Sequence, residues 1–383
     1  MKTTSTVTHL GYLDGLRGLA ALFVVFHHTY LQVFGWERIS GVAGYALKIF
    51  LYGRYSVDVF IALSGFCLMM PIVKGDGTIR GGALGFFQRR AWRILPTYYL
   101  ALALSLILIV SLIGQKTGTQ WDVTLPVTSK SVITHLLLIH DACGEVNTIN
   151  YPLWSVGVEW RIYFLFPLLL WVWHRVGPIV TTILAVFFSY ILFFVCQRFD
   201  ATGFTSYYIG LFAMGMLSAS IAFASSNICR RLRRLPWGII VSVVTVAVIW
   251  VSFAKIGIGK GMPYYLQDGV VGLWTMCLLI MISVKKKGWV YNALSYKPLA
   301  FLGTFAYSVY LIHAPLLQVL WQYVFVDLQE NKMGMFVVLC LAGIPLIIAA
   351  SYLFFLICER PFLRRKTTAS DSVVVKTALD PSP

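Results

Sequence analysis

Charged residues are scarce in this 383-residue chain: they make up 12% of it, whereas hydrophobic residues make up 58%. In a typical soluble domain about 25% of the residues are charged. A soluble fold could not hide so much apolar surface, so the composition excludes that class. It predicts an all-α, polytopic membrane helical bundle instead.

Acidic residues are the rarer charged type, with 15 Asp and Glu against 31 Lys and Arg, for a net charge of +16. This excess could indicate a nucleic-acid partner, but its distribution along the chain does not. If the N-terminus is cytoplasmic, 21 basic residues lie on the cytoplasmic side and 9 on the other. The positive-inside rule therefore predicts a protein of the cytoplasmic membrane with both termini in the cytoplasm. Membrane lipid headgroups are the expected partners of the basic clusters, and no nucleic acid is expected.

Cysteine pairs are also lacking. The seven cysteines are an odd number, show no C-x-x-C spacing and fall mostly within apolar segments, so no disulfide framework is predicted. His135, His140 and Asp141 have metal-ligand side chains, but their spacing matches no strong template. We therefore predict no metal site and no bound cofactor.

Long hydrophobic runs, by contrast, are abundant. A membrane crossing takes about 20 helical residues, and about ten segments approach this length. The predicted spans are Leu16–Phe34, Val57–Val73, Ile94–Ile113, Trp154–Trp173, Ile179–Cys196, Tyr207–Phe223, Trp237–Phe253, Leu266–Val284, Leu299–Leu320 and Gly334–Ile357. They form one predicted membrane domain, residues 1–363, followed by a polar cytoplasmic tail, residues 364–383, that is predicted to be disordered.

The first predicted span carries ionisable residues in an otherwise apolar run. Asp14 and Arg17 lie near its beginning, and His28 lies near mid-depth. Residues with the spacing of Arg17 and His28 lie within about 20° of each other around a helix and about 16 Å apart along it. Such groups are costly in a membrane and usually face a polar cavity, so both are candidates for function. The alternative is that Arg17 snorkels to the surface and His28 is hydrogen-bonded within the bundle.

The stretch that contains these residues, LDGLRGLAALFVVFHH, resembles the opening of the acyltransferase-3 family. Members of that family are integral membrane enzymes that move an acyl group from acyl-CoA onto an acceptor hydroxyl. Their first helix carries a basic residue, ten intervening residues and a histidine, which match Arg17 and His28. The resemblance therefore implies that His28 is catalytic and that Arg17 contacts acyl-CoA. It covers nearly all of residues 10–363.

Two arginines precede the third predicted span, in the sequence RRAWRILP. Arg90 and Arg93 are spaced i, i+3 and share a helix face. Paired guanidiniums bind phosphate well, because each can donate two hydrogen bonds at once. The resembling family has an R-x-x-R motif here that is proposed to meet the donor nucleotide, which implies acyl-CoA binding. The alternative is that both residues only anchor the chain at the cytoplasmic surface.

A polar stripe marks the fourth predicted span, because Ser155, Glu159 and Tyr163 are spaced i, i+4 and i+8. A carboxylate in the membrane needs a cationic or hydrogen-bonding partner, and we expect His28 or an arginine to supply it. The pattern W-S-x-x-V-E resembles the family and implies a catalytic role for Glu159, with Ser155 and Tyr163 in the pocket. Arg161 departs from the family's usual glutamine, and the sequence assigns it no role.

The ninth predicted span contains the family's late signature, in which Tyr310 and His313 share a helix face. With Asp14, these residues complete the predicted pocket, although the sequence favours a histidine at 313 that is satisfied by a neighbouring helix. The long loop at residues 114–152 carries an apolar stretch too short to cross a membrane. It predicts an interfacial or re-entrant helix that roofs the cavity.

These features predict a membrane O-acyltransferase without a fused C-terminal esterase-like domain. Acyl-CoA, with acetyl-CoA as the expected co-substrate, would bind from the cytoplasm through Arg17, Arg90 and Arg93. His28 would act as general base on a hydroxyl of a carbohydrate, glycolipid or small-molecule acceptor, with Glu159 orienting it. An acyl-histidine intermediate is the other route. The rival class is a proton-coupled secondary transporter, which also buries His, Glu and Arg in its bundle.

Overall fold

A computed structural model describes residues 10–36, 44, 46–199, 203–253, 255, 256 and 260–363. Within these residues the chain is a bundle of helices, with one short antiparallel strand pair, Lys255–Ile256 and Lys260–Gly261. The predicted all-α class is confirmed. The tail predicted over residues 364–383 lies outside the described residues.

Most helices follow one another closely, and several continue into a π-helical turn. The helices are α1 Gly11–Phe34, α2 Tyr55–Lys74, α3 Gly82–Leu108, α4 Ser129–Leu136, α5 Trp154–Val176, α6 Pro178–Arg198, α7 Tyr208–Phe223, α8 Asn227–Arg233, α9 Trp237–Phe253, α10 Tyr264–Lys285, α11 Trp289–Leu294, α12 Lys297–Thr304, α13 Ala306–Val319, α14 Lys332–Val338, α15 Ile344–Phe354 and α16 Arg360–Leu363. The π-helical turns are Ile109–Ile113, Leu320–Val324, Leu339–Gly343 and Phe355–Glu359. Short 3₁₀ helices are Lys48–Tyr52, Gln120–Thr124, Tyr151–Leu153 and Val326–Leu328.

Six helical stretches within the described residues are long and apolar enough to cross a membrane, and two bent helix pairs could each provide one more span. Helices α7 and α8 form the first pair and bend by 91°; α12 and α13 form the second and bend by 76°. The predicted span Leu299–Leu320 is therefore bent rather than straight. The break lies at Phe305, whose φ of −126° and ψ of 21° leave the helical region.

The two other predicted spans correspond to α1 and α9. Helix α9 has 17 residues, a few short of a full crossing. Helix α1 has 24 residues, which gives it a length of roughly 36 Å. It carries polar residues that a lipid-facing helix would not, and three of them, Asp14, His27 and Gln32, are buried in the protein. Helix α1 thus brings polar side chains into the interior of the bundle.

Glycines let α1 lie against its neighbours with the backbones in contact. A Cβ atom at Gly15 would fall 1.6 Å from the carbonyl oxygen of Leu294, and one at Gly303 would fall 1.8 Å from that of Asp14. No larger residue fits at either position without moving a helix. This close packing of small residues fixes the rotation of α1, and with it the direction of its ionisable side chains.

The loop at residues 114–152 folds over the end of the bundle where α1 ends, and it contains the short helix α4. The Tyr98 hydroxyl of α3 donates a hydrogen bond to the His135 carbonyl oxygen, at 3.0 Å. The rings of His135 and His140 stack with their centroids 3.8 Å apart, and both are fully buried. Burial lowers the pKa of His140 to about 2, so its ring is neutral. The loop is therefore an ordered roof with its own packed interior.

Candidate active site

A cavity of about 310 Å³ lies between α1, α2, α3, α5 and α13. We call it the arginine cavity. Eight of the ten predicted site residues line it: Asp14, Arg17, Arg90, Arg93, Ser155, Glu159, Tyr163 and Tyr310. Four separate stretches of the sequence thus supply one polar site inside the bundle.

Arg17 is held in a defined orientation inside the arginine cavity. Its Nη1 lies 2.6 Å from Asp14 Oδ1, one helical turn earlier, and its Nη2 lies 2.9 Å from the Cys67 sulfur of α2. A guanidinium has five N–H donors, so these contacts leave donors that can reach a ligand. The ion pair with Asp14 also offsets the cost of placing a cation inside the bundle.

Glu159 belongs to the arginine cavity and not to the surroundings of His28. The Tyr163 hydroxyl donates to Glu159 Oε1, and it accepts from Ser64 Oγ, which is 2.9 Å away. The Arg90 guanidinium lies 5.9 Å from the centroid of the Tyr163 ring. The expectation that Glu159 orients His28 is therefore corrected, because the carboxylate is held by α5 itself. Its negative charge instead lies among the arginines that line the same cavity.

Arg90 and Arg93 face two spaces at once. Besides the arginine cavity they line a more open cleft of about 480 Å³, to which Arg89, Trp92 and Phe362 also contribute. The rings of Trp92 and Phe362 meet edge to face, with centroids 5.7 Å apart. The arginine pair thus marks the passage from this surface cleft into the bundle.

A second cavity, of about 700 Å³, lies beneath the roof at the other end of α1. We call it the histidine cavity. Its polar and aromatic lining includes His27, His28, Trp36, Arg54, Asn147, Tyr151, Gln267 and Tyr310. Val57 and Tyr310 line both this cavity and the arginine cavity, so the two spaces adjoin at these side chains. Arg17 and His28 therefore open into neighbouring cavities within the protein, not into lipid.

The hydrogen bonds around His28 assign its tautomer. His313 Nδ1 lies 3.0 and 2.9 Å from the carbonyl oxygens of Val309 and Tyr310, which only accept, so this nitrogen carries a hydrogen. In a neutral ring His313 Nε2 is then an acceptor, and His28 Nδ1, 2.7 Å away, donates to it. The network thereby leaves Nε2 of a neutral His28 as the bare, proton-accepting nitrogen. The Tyr151 ring also lies against His28, tilted by 56° with the ring centroids 4.6 Å apart.

His313 is thus satisfied by a neighbouring helix, as one of the two interpretations of the ninth span has it. Its partner, however, is the candidate catalytic histidine itself. Tyr310, from the same helix turn, forms a hydrogen bond of 2.6 Å with Ser155 of α5. These contacts join α1, α5 and α13 at the point where the two cavities meet.

Arg54 is a further cation that the sequence analysis did not select. It lines the histidine cavity, and its Nη2 lies 2.6 Å from Oδ2 of Asp268, which is fully buried. The Tyr207 hydroxyl also donates to that oxygen, at 2.8 Å. The available signal was Asp268, an acidic residue within a predicted span, which needs a partner of this kind.

Arg161, to which the sequence assigned no role, fastens the roof to α5. Both of its terminal nitrogens bond to the Asp141 carboxylate, one of them at 2.7 Å, and Nη1 also donates to the Leu138 carbonyl oxygen at 3.0 Å. Asp141 is fully buried. Such a forked ion pair holds two segments in one orientation. The geometry therefore gives Arg161 a structural task, which is to hold the roof against α5.

Three further residues of the arginine cavity, Ser64, Cys67 and Glu359, were not selected either. Ser64 precedes Gly65 in an apolar run, and Glu359 follows the last predicted span. Each side chain in fact reaches polar partners: Ser64 bonds to Tyr163, Cys67 to Arg17 and Glu359 to Ser308. A small or acidic residue in an apolar run was the only signal the sequence offered for them.

Fold and site together define a multi-pass membrane protein with a cation-lined cavity at one end, a histidine-lined cavity at the other and a common wall between them. The family model described as "Acyltransferase domain" matches residues 10–356. The chain therefore belongs to the acyltransferase-3 family. This confirms the predicted resemblance and the prediction that the protein is an acyltransferase.

Three similar proteins show how the match is distributed. "Acyltransferase MdmB" of Streptomyces mycarofaciens is 32% identical over 174 residues, 44% of this chain and 40% of that protein. "Putative peptidoglycan O-acetyltransferase YrhL" of Bacillus subtilis (strain 168) is 24% identical over 81% of this chain and 49% of its own length. "O-acetyltransferase OatA" of Staphylococcus aureus is 24% identical over 81% of this chain and 51% of its own. The chain thus matches about half or less of each relative's length. No solved structure matches it.

Proposed function

We propose that this chain is a membrane O-acyltransferase that moves an acyl group, expected to be acetyl, from acyl-CoA to an acceptor hydroxyl. Family membership supports the reaction class. Within the structure, one observation carries the proposal: the arginine cavity and the histidine cavity adjoin at Val57 and Tyr310. A polyanionic donor can be held in the first while its acyl group reaches a proton acceptor that faces the second.

On this proposal the chain lies in the cytoplasmic membrane with both termini in the cytoplasm, and acyl-CoA enters through the surface cleft. Arg90 and Arg93 would hold the diphosphate where the cleft meets the arginine cavity, because forked guanidiniums match phosphate oxygens. Trp92 would offer its ring to the adenine. Arg17 would contact the donor deeper in the bundle, with Asp14 keeping its guanidinium in place.

His28 would supply the proton acceptor. As the acceptor oxygen attacks the thioester carbonyl carbon, His28 Nε2 would take the hydroxyl proton. The new C–O bond forms and the C–S bond breaks, and the proton passes from His28 to the sulfur, so CoA leaves as its thiol. His313 would hold the ring through Nδ1 and stabilise it while it carries the extra proton. Glu159 would balance the positive charge of the arginine cavity.

An acyl-histidine intermediate would use the same nitrogen. Nε2 would then attack the thioester itself, a C–N bond would form as the C–S bond breaks, and the acceptor hydroxyl would take the acyl group in a second step. Both routes require a His28 ring whose Nε2 is bare. The hydrogen-bond network supports that requirement in either case.

A carbohydrate hydroxyl is the acceptor that the features favour, on a glycan or a glycolipid, with a small-molecule hydroxyl as the simpler variant. Two relatives are named as O-acetyltransferases, one of them for peptidoglycan. The histidine cavity has a volume within the range of about 300–1,000 Å³ that is common for small-molecule sites. Its Asn147, Tyr151 and Gln267 have the groups that bond to hydroxyls.

The test uses membranes that contain the full chain, acetyl-CoA labelled in the acetyl group and a mixture of cell-envelope glycans. We expect CoA release and label transfer by the wild type, and loss of both by about 10³-fold in His28→Ala, because the base is removed. His174→Ala, at the exposed end of α5, is the matched control. Transport of a solute without release of CoA, or full activity of His28→Ala, would contradict the proposal.

A further inference from the structure

A third polar cavity adjoins the histidine cavity on the side away from Tyr310. It has a volume of about 360 Å³, and we call it the distal pocket. Leu31, Trp36 and Gln120 line both the distal pocket and the histidine cavity, so the two form one continuous cleft. Trp36 is 62% exposed where they join. None of the catalytic steps above uses this space.

The wall of the distal pocket combines amides, hydroxyls and aromatic rings. Its polar and aromatic members are Gln32, Phe34, Trp36, Thr117, Thr119, Gln120, Trp321, Gln329 and Lys332. Among the described residues that line it, none is Asp or Glu, and Lys332 is the one cation. Amides and hydroxyls both donate and accept hydrogen bonds. Such a wall suits a neutral ligand rich in hydroxyls, because an acyl chain would make no use of its donors and acceptors and a polyphosphate would need more cations.

A buried amide behind the pocket holds this wall in place. Gln318 is fully buried; its Oε1 accepts from Gln32 Nε2 at 2.5 Å and from Thr119 Oγ1 at 3.1 Å. Its Nε2 donates to Thr117 Oγ1, also at 3.1 Å. Three segments distant in sequence, α1, the roof and α13, therefore meet at one side chain. Gln329 is fixed separately, because its Nε2 donates to the Trp321 carbonyl oxygen at 3.1 Å. The pocket is thus pre-formed, which lowers the entropic cost of binding.

We propose that the distal pocket is a carbohydrate subsite, which binds sugar rings next to the one whose hydroxyl lies at His28. Trp36 would stack on the ring between the two cavities, and Gln329 and Thr117 would bond to the hydroxyls of the ring beyond it. The proposal rests on the proposed function for the identity of the acceptor. It adds that the substrate is an oligosaccharide bound across at least two rings.

The test measures binding and transfer separately, with the purified full chain in detergent. Calorimetry gives the Kd of oligomers of one to four rings, in a glucose series and an N-acetylglucosamine series. The variants are Trp36→Ala and Gln329→Ala, whose side chains are exposed and half-buried. Trp289→Ala is the matched control, because that ring is 82% exposed on α11, which contributes no residue to the distal pocket.

In at least one series we expect the tetramer to bind about tenfold more tightly than the monomer, which corresponds to about 1.4 kcal/mol. Trp36→Ala and Gln329→Ala should each reduce that ratio by about threefold or more, and Trp289→Ala should leave it unchanged. Equal binding of monomer and tetramer in both series, or an unchanged ratio in both variants, would overturn the subsite even if acetyl transfer proceeds. Length-dependent binding without CoA release would instead keep the subsite and refute the proposed reaction.

Discussion

His28 Nδ1 lies 2.7 Å from His313 Nε2, and His313 Nδ1 in turn points at two backbone carbonyl oxygens of its own helix. The direction of hydrogen donation therefore runs from His28 to His313 and then to the backbone. A backbone carbonyl oxygen can only accept a hydrogen bond. This series of hydrogen bonds therefore allows one arrangement of the ring hydrogens when both histidines are neutral. It gives His28 the fixed orientation that a general base needs.

Removal of the His313 acceptor should therefore slow transfer while donor binding stays normal. We expect His313→Leu to lower kcat by about 10²-fold with little change in the KM for acetyl-CoA, because the His28 ring loses its orientation and tautomer. His313→Gln, whose side-chain oxygen can still accept from Nδ1, should recover part of the loss. Steady-state kinetics on both variants checks this. Equal loss in both, together with a weaker fold, would show that His313 is only a packing residue.

Replacement of Arg90 should weaken the binding of the acyl-CoA donor and leave the binding of the acceptor unchanged. We expect Arg90→Ala to raise the KM for acetyl-CoA by about tenfold, because one charge-assisted contact to phosphate is lost, and to leave the KM for the acceptor unchanged. Arg90→Lys should lie between wild type and Ala, since it keeps the charge but not the fork. Arg231→Ala, in the exposed basic helix α8, is the control. An increase of the same size in that control would show that only surface charge matters.

The thiol of Cys67 can report on ligand binding in the arginine cavity without an assay of acyl transfer. It lines the arginine cavity and lies 2.9 Å from the Arg17 guanidinium. We expect a maleimide added from the cytoplasmic face to label Cys67, and saturating CoA to slow this labelling by about fivefold or more, because the ligand covers the thiol. Cys67→Ser identifies the labelled site. Labelling from the opposite face, or no protection by CoA, would place the donor elsewhere.

The ion pair between Arg161 and Asp141 should decide whether the roof stays closed. Arg161→Met leaves Asp141 as an unpaired buried charge, which costs about 3–5 kcal/mol. We expect faster hydrogen exchange across residues 129–150 and a lower Tm. The double variant Arg161→Met with Asp141→Leu should recover most of the loss, because it removes both charges. No recovery in the double variant would mean that the arginine acts through some other contact.

Much of the site follows from spacing within single helices. Arg17 and His28 share a face of α1 because eleven residues make about three whole turns. Arg90 and Arg93 share a face of α3 for the same reason, because a spacing of three residues is close to one turn. These relationships depend only on helix geometry, which the sequence dictates locally. The membrane class likewise follows from composition.

Contacts between helices could not be predicted in the same way. His28 and His313 are 285 residues apart, so their pairing depends on how α1 and α13 pack. Glu159 looked like a partner for His28 because both are ionisable in apolar helices, yet the packing of α5 places its carboxylate in the arginine cavity, where it accepts a hydrogen bond from Tyr163 of the same helix. Arg161 and Gln318 find their partners in the roof, whose fold has no periodic signal in the sequence.

The most direct test of the central claim, that donor and acceptor meet from opposite ends of one passage, uses the chain reconstituted in sealed vesicles. Labelled acetyl-CoA is added outside and the oligosaccharide acceptor is trapped inside, with the chain's cytoplasmic face outward. We expect labelled oligosaccharide inside and free CoA outside, and neither with His28→Ala. Acetylation only when donor and acceptor share a compartment, or acetylation that survives His28→Ala, would contradict it.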